Sequence, residues 1–206
     1  MPGTPFYSWL ALGDSYTIGE ALPLYENYPY QCVQLLRRDG YPFAAPEIIA
    51  RTGWTTGELQ QAIDQTILQP SYDIVSLLIG VNNQYRNYPP EDYATHFESL
   101  LQQAIVFAGG QANRVFVLSI PDWGVTPFAA GRPGGQSPIS EAIDLFNQLN
   151  EGIARRYGVH RLDITPGSRE AAINSSLLAG DQLHYSGKEY GRWAKVLAEA
   201  IKETLS

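Results

Sequence analysis

The chain alternates short apolar runs with longer amphipathic segments, and this alternation limits the folds that it can adopt. The segments DIVSLLIGVNN and RVFVLSIPD are nearly continuous apolar stretches that are closed by Gly, Asn, Pro or Asp. Strands that are buried on both faces of a parallel sheet have this pattern. We therefore predict five strands, over residues 7–12, 47–50, 74–79, 115–120 and 160–163.

The segments between these runs have the periodicity of amphipathic helices. Residues 91–108 repeat apolar side chains at intervals of three and four, and another helix is predicted from the candidate cap Ser140 to Gly158. Further helices are predicted over residues 28–39, 56–68 and 186–205. Because alternating strands and helices form right-handed βαβ units, the sequence predicts an α/β fold. We expect a flavodoxin-like, three-layer α/β/α sandwich with a central, mostly parallel five-stranded sheet.

The length of the chain indicates one domain over residues 1–206. The only linker-like stretch, AAGRPGGQSP at residues 129–138, is too short to separate two domains. Its glycines permit movement, so we predict a mobile loop there and consider it a candidate lid.

The charge of the chain disfavours a nucleic-acid partner. The sequence has 14 basic and 21 acidic residues and a formal net charge of −7, whereas nucleic-acid-binding domains cluster Lys and Arg. Cys32 is the only cysteine, which excludes an intramolecular disulfide and a cysteine-rich metal site. No signal peptide is evident, and no window approaches the roughly 18 apolar residues of a membrane span. These features predict a soluble, cytoplasmic protein.

Polar residues follow the apolar runs, where ligands bind in parallel α/β sheets. They are residues 13–15 (Gly-Asp-Ser), Gly53, residues 80–83 (Gly-Val-Asn-Asn) and residues 121–123 (Pro-Asp-Trp). A serine hydrolase needs a hydroxyl, a base for its proton, a group that orients the base, and donors for the oxyanion. Taken singly, each of these motifs is also explained by a turn or by the end of a strand.

Three histidines are candidates for the base. His96 lies inside the predicted helix over residues 91–108, and His160 opens the last predicted strand, so we expect structural roles for both. His184 follows Asp181 by three residues in AGDQLHYSGKEYG. Within one turn, this spacing lets the carboxylate reach Nδ1, fix the tautomer and stabilise the imidazolium. An ordinary loop before the last helix would also account for this motif alone.

The order of these motifs is more specific than any one of them. Gly-Asp-Ser follows the first predicted strand, a glycine follows the second in ARTGWTT, Gly-Val-Asn-Asn follows the third, and Asp-x-x-His precedes the last helix. This arrangement resembles the SGNH hydrolases, also called GDSL-type esterases, in which four blocks in this order carry Ser, Gly, Asn and His. The resemblance extends from residue 9 to about residue 195 and implies the SGNH hydrolase fold.

The resemblance also implies a catalytic triad and an oxyanion hole. Ser15 is the implied nucleophile, His184 the general base and then acid, and Asp181 the residue that orients His184. The implied oxyanion hole combines the backbone N–H groups of Ser15 and Gly53 with the side-chain amide of Asn82. We expect neither a metal nor an organic cofactor.

Two positions depart from the commonest family pattern. Asn83 stands where the third block usually has Asp, and Tyr16 follows the nucleophile where Leu is usual. Asp14 is expected to shape the turn rather than to react. The segments GVNNQYR and SIPDWGVTPF also resemble a lysophospholipase- or acylesterase-like branch.

We therefore expect a serine esterase that acts on a small-molecule acyl ester of short to medium chain length, or on a lysophospholipid. Alternatives are a carbohydrate deacetylase or thioesterase of the same family, a non-catalytic flavodoxin-like binding domain, and a dead hydrolase that serves as an interaction domain. Several residues beside the catalytic blocks are candidate substrate-binding residues, although they fit equally well as core or loop anchors. They are Ile18, Trp54, Asn83, Tyr85, Trp123, Val125 and Phe128.

Overall fold

A computed structural model describes residues 6–131 and 136–205, in which the predicted strands form one parallel sheet. The sheet order is β2-β1-β3-β4-β5, and every neighbouring pair is parallel. The strands are β1 Trp9–Gly13, β2 Glu47–Ala50, β3 Ile74–Leu78, β4 Val115–Leu118 and β5 His160–Leu162. The predicted α/β sandwich is therefore confirmed, and its strand order reverses between β1 and β3, where ligands bind in such sheets.

Burial explains why the inner strands have such continuous apolar sequences. Every residue of β1, β3 and β4 is buried, whereas all residues of the edge strands β2 and β5 are half-buried. In the outer layers, α2 packs against α9 on one face of the sheet, and α5 packs against α3 and α7 on the other. The helices are α1 Ser15–Ile18, α2 Tyr28–Arg38, α3 Thr56–Gln65, α4 Val81–Tyr85, α5 Pro90–Phe107, α6 Pro127–Ala130, α7 Ser137–Tyr157, α8 Thr165–Arg169 and α9 Gly187–Leu205.

Two predictions about helix ends are wrong. The helix predicted from Ser140 begins at Ser137, so Ser140 lies inside α7 and is not its cap. Pro138 occupies the first turn, where its missing N–H leaves no hydrogen bond unmade. The helix predicted over residues 56–68 ends at Gln65. The predicted end at Gly158 is confirmed, since this glycine adopts a left-handed φ of +67°.

The candidate lid over residues 129–138 is only partly described. Its first two residues belong to α6 and its last two to α7, whereas residues 132–135 lie outside the described part of the chain. Within residues 6–131 and 136–205, no helix has both the length and the apolar composition that crossing a membrane requires.

Candidate active site

Three polar side chains, one from near the start of the sequence and two from near its end, form a hydrogen-bonded line at the carboxyl end of β1. Ser15 is the first residue of α1, and its Oγ lies 2.9 Å from Nε2 of His184. The Nδ1 atom of His184 lies 2.6 Å from Oδ2 of Asp181. Ser15 is 5% exposed and His184 8%. A hydroxyl, an imidazole and a carboxylate in this order are the arrangement that activates a serine nucleophile.

The Asp181 carboxylate also organises the loop that carries His184. Its Oδ1 atom accepts hydrogen bonds from the backbone N–H groups of Leu183, at 3.0 Å, and His184, at 2.9 Å. Partial burial raises the pKa of Asp181, but hydrogen bonds from the His184 ring and from these two N–H groups outweigh it and lower the pKa below its ordinary value. An ionised Asp181 favours the tautomer with a proton on Nδ1, which leaves Nε2 free to accept the Ser15 proton.

The turn that presents Ser15 requires the residues before it. A Cβ on Gly13 would lie 2.1 Å from Oγ1 of Thr17 and 2.5 Å from the carbonyl oxygen of Leu78, so only glycine fits. Asp14 caps α1, because its Oδ1 accepts the backbone N–H of Tyr16 at 3.0 Å. Burial raises the pKa of Asp14 to about 7, even though this hydrogen bond lowers it.

Three residues that line the same cavity offer N–H groups as potential oxyanion donors. Among the described residues, the backbone N–H groups of Ser15 and Gly53 donate to no backbone carbonyl. The side-chain amide of Asn82 donates one N–H to the carbonyl of Trp54 at 2.9 Å and retains a second N–H. Ser15, Gly53 and Asn82 all line one cavity of about 150 Å³. The residues predicted for the oxyanion hole are thus brought together beside the serine.

The cavity has a mainly apolar wall. Its described lining residues are Ser15, Tyr16, Thr52, Gly53, Val81, Asn82, Tyr85, Trp123, Phe128, Leu183 and His184. The Trp123 indole donates its Nε1–H to Oε1 of Gln84 at 2.8 Å, and the rings of Tyr85 and Phe128 lie 5.4 and 6.2 Å from it. Asp122 caps the turn Trp123–Val125 through the N–H of Gly124. The aromatic wall is therefore anchored by the hydrogen bond of the Trp123 indole to Gln84 and by that of the Gly124 N–H to Asp122.

Of the candidate substrate-binding residues, Tyr85, Trp123 and Phe128 line the cavity, but the other four do not. Asn83 is fully buried, and its amide bonds the backbone N–H and the hydroxyl of Thr56. The Trp54 carbonyl accepts a hydrogen bond from Asn82, and its half-buried side chain packs against the core. Ile18 is half-buried on α1, and Val125 lines a separate depression. The structure therefore does not place these four residues in the lining of this cavity.

Four lining residues were not among the predicted ones, although the sequence held a signal for them. Thr52, Val81 and Leu183 each directly precede a predicted catalytic or oxyanion residue, and Tyr16 directly follows one. Tyr16 also packs its ring edge-on against the His184 imidazole, with centroids 5.6 Å apart. Direct sequence neighbours of Ser15, Gly53, Asn82 and His184 are therefore candidates for the cavity wall, in addition to the aromatic residues that the sequence already suggested.

The other two histidines have surroundings that fit structural roles. The His160 ring stacks on Phe116 with centroids 4.7 Å apart, and its Nε2 lies 3.2 Å from Oγ1 of Thr204. His96 is exposed on α5. In the part of the chain that the structure describes, no group of three or more His, Cys, Asp or Glu side chains is arranged to hold a metal ion.

Solved structures with this fold include several esterases. The psychrotrophic esterase EstA from Pseudoalteromonas sp. is 17% identical, with a TM-score of 0.72 over 97% of this chain and 98% of that one. The acetylxylan esterase Axe2 from Geobacillus stearothermophilus is 18% identical, with a TM-score of 0.71 over 98% and 96%. A lipase/acylhydrolase from Enterococcus faecalis is 18% identical, with a TM-score of 0.73 over 96% of each chain. At these identities the likeness establishes the fold.

The family is established by sequence. No curated protein sequence shows significant similarity to this chain. The model of the GDSL-like lipase/acylhydrolase family, however, matches residues 11–192, which include all four motifs. The chain therefore belongs to the GDSL-like lipase/acylhydrolase family and is a carboxylic ester hydrolase.

Proposed function

We propose that this chain hydrolyses carboxylic esters of short to medium acyl chain length through an acyl-enzyme on Ser15. The observation that carries the proposal is the line from Ser15 Oγ to His184 Nε2, at 2.9 Å, and from His184 Nδ1 to Asp181 Oδ2, at 2.6 Å, beside an apolar cavity. A serine hydroxyl is a weak nucleophile at neutral pH, and this line supplies the base that it needs.

In the acylation half-reaction, Ser15 Oγ attacks the ester carbonyl carbon while its proton moves to Nε2 of His184. The imidazolium that forms is stabilised by the ionised carboxylate of Asp181. The carbonyl oxygen becomes an oxyanion, which the N–H groups of Ser15, Gly53 and Asn82 are arranged to receive. His184 then donates its proton to the leaving alcohol, the bond from the carbonyl carbon to that oxygen breaks, and the acyl group stays on Ser15.

In the deacylation half-reaction, water takes the place of the alcohol. His184 removes a proton from the water, whose oxygen attacks the acyl carbon in the same oxyanion environment. His184 returns the proton to Ser15 Oγ as the acyl–oxygen bond breaks. The carboxylic acid leaves, and the resting hydrogen bonds between Ser15, His184 and Asp181 form again.

The cavity supports a small acyl group. An apolar cavity of about 150 Å³ in another protein binds benzene, so a pocket of this volume suits a chain of roughly six carbons. The long acyl chain of a typical lysophospholipid exceeds this volume. Among the alternatives, deacetylation of a carbohydrate would leave most of the apolar wall unused, which favours a longer acyl group than acetyl.

The substrate class is tested with p-nitrophenyl esters from acetate to dodecanoate. We expect kcat/KM to peak at roughly four to eight carbons and to be absent in the Ser15→Ala variant, which serves as the blank. A maximum at acetate would favour the deacetylase alternative, and a maximum at dodecanoate would favour a lipid-type acylesterase. Equal rates with the Ser15→Ala variant would contradict the proposed function itself.

A matched pair of variants connects that profile to the cavity. Trp123→Ala removes the buried indole of the aromatic wall, so kcat/KM for dodecanoate relative to butyrate is expected to rise roughly tenfold. Phe6→Ala removes a ring that is 67% exposed near the start of the chain and outside the cavity lining, and it should leave the profile unaltered. An unchanged profile in Trp123→Ala would show that the chain does not occupy this cavity.

Removing the side-chain donor of Asn82 should slow the chemical step. We expect Asn82→Ala to lower kcat by about 10²- to 10³-fold with a smaller change in KM, because the oxyanion exists only in the transition state and the intermediates. Steady-state kinetics on p-nitrophenyl butyrate measures both constants. A rise in KM with kcat unchanged would make Asn82 a residue that binds the ground state.

A further inference from the structure

Arg86 bridges two elements beside the cavity without belonging to any of the four family motifs. It follows the last residue of α4, and its Nη2 donates to the carbonyl oxygen of Gly53 at 2.6 Å. Its Nη1 lies 3.2 Å from Oε2 of Glu58 on α3, and the side chain is 39% exposed. The two terminal nitrogens of one planar guanidinium therefore contact two neighbouring parts of the chain, Gly53 and Glu58.

Gly53 is the least restrained of the three proposed oxyanion donors. Its φ is +84°, in the left-handed region, and it has no side chain that could pack and fix its backbone. The Ser15 N–H, in contrast, is held at the start of α1, and the Asn82 amide is held by its bond to Trp54. A donor stabilises an oxyanion only when it is already aimed at the place where the charge develops.

Asn82 and Asn83 of α4 and the following Arg86 each hydrogen-bond to a different residue between Gly53 and Thr56. Asn82 binds the carbonyl of Trp54 at 2.9 Å, and Asn83 binds the N–H and the hydroxyl of Thr56 at 3.0 and 2.8 Å. Among the described residues, only Arg86 binds the carbonyl of Gly53 itself. Without that bond, the peptide groups on either side of the Gly53 Cα can rotate about its unrestrained φ and ψ.

We propose that Arg86 is a positioning residue of the oxyanion hole, which fixes the Gly53 backbone so that its N–H is aimed at the developing oxyanion. This inference rests on the proposed function, because it concerns a donor of that mechanism. The planar guanidinium is essential to this role, because its two terminal nitrogens reach Gly53 and Glu58 at the same time. A lysine ammonium can replace only one of these two contacts.

The test compares Arg86→Met, Arg86→Lys and the wild type on p-nitrophenyl butyrate, a neutral substrate. We expect Arg86→Met to lower kcat roughly tenfold, less than removal of a donor, with KM nearly unchanged. The kcat of Arg86→Lys should lie between those of Arg86→Met and the wild type. The inhibition constant of butylboronic acid, which forms a tetrahedral adduct with a serine hydroxyl, should rise by the same factor as kcat falls. Arg155→Met, which breaks an exposed ion pair with Glu151 on α7, should change neither constant.

Each alternative outcome contradicts the inference in a recognisable way. A wild-type kcat in Arg86→Met would show that the Gly53 backbone does not need the hydrogen bond from Arg86. A wild-type kcat in Arg86→Lys would show that a positive charge, rather than the planar guanidinium, is required. An increase in KM alone makes Arg86 a substrate-binding residue. These results refute the role of Arg86 only when Ser15→Ala is inactive and Asn82→Ala is slow in the same assay. Full activity in Ser15→Ala would instead refute the proposed function.

Discussion

Replacement of Ser15 by alanine is expected to lower kcat for ester hydrolysis by about 10⁴- to 10⁶-fold while the protein remains folded. The reason is that, among the described residues, Ser15 supplies the only hydroxyl that hydrogen-bonds to His184 Nε2. The substitution removes one oxygen from a 5% exposed side chain and keeps the backbone N–H of residue 15, a donor of the proposed oxyanion hole. Steady-state rates on p-nitrophenyl butyrate measure the loss, and circular dichroism checks the fold.

The pattern among variants is more informative than one loss of activity. His184→Ala should be nearly as slow as Ser15→Ala, and the double variant should be no slower than either, because the two residues act as a unit. Ser99→Ala, which changes an exposed serine of α5, is the matched control and should keep the wild-type rate. Losses that multiply in the double variant would contradict the hydrogen-bonded pair as the catalytic unit.

The second large effect concerns stability and arises from Asp14, directly before the proposed nucleophile. Among the described residues, its buried Oδ2 atom has no hydrogen-bond partner. Burial raises the pKa of the neighbouring Tyr16, Tyr28 and Tyr190, and negative charge on Asp14 raises it further. Because burial raises the pKa of Asp14 from 3.8 to about 7, the folded protein holds this proton more tightly than the unfolded chain does. The contribution of Asp14 to stability is therefore complete below pH 4 and is lost as the pH rises to about 7.

Asp14→Asn should remove this pH dependence, since asparagine keeps the capping oxygen and carries no charge. A shift of roughly three pKa units corresponds to about 4 kcal/mol. The free energy of unfolding of Asp14→Asn relative to the wild type should thus rise by up to this amount between pH 4 and pH 8. Any constant cost of burying the amide cancels in that comparison.

Urea denaturation of both proteins at several pH values measures the difference. Asp64→Asn, the same substitution at an exposed position of α3, is the control and should show no such trend. Parallel stability curves for Asp14→Asn and the wild type between pH 4 and pH 8 would mean that Asp14 is already ionised in the folded protein at the lower end of this range.

Much of the fold could be predicted because burial leaves a direct trace in the sequence. The strands β1, β3 and β4 are buried on both faces, so their apolar runs are continuous and easily located. Helix ends were less predictable, because they depend on local competition between capping residues. Ser140 has a suitable side chain for a cap, but the chain already turns into α7 at Ser137.

The candidate site was predictable only where a motif names a residue. Asn82 and Asn83 are adjacent in sequence, yet successive residues on a helix point about 100° apart. One therefore lines the cavity, whereas the other is buried against Thr56. The contact of Arg86 with Gly53 joins residues 33 positions apart, and no periodicity or spacing in one sequence indicates it.

The central claim is that Ser15 is the nucleophile, and covalent trapping tests it most directly. The protein is incubated with the p-nitrophenyl ester of an alkylphosphonate, and the adduct is located by mass spectrometry of the intact chain and of its peptides. We predict one adduct per chain, on Ser15, formed as p-nitrophenol is released and as esterase activity disappears. It should be absent from Ser15→Ala and form far more slowly in His184→Ala. Loss of activity with the adduct on another residue, or an equal adduct in Ser15→Ala, would contradict the account.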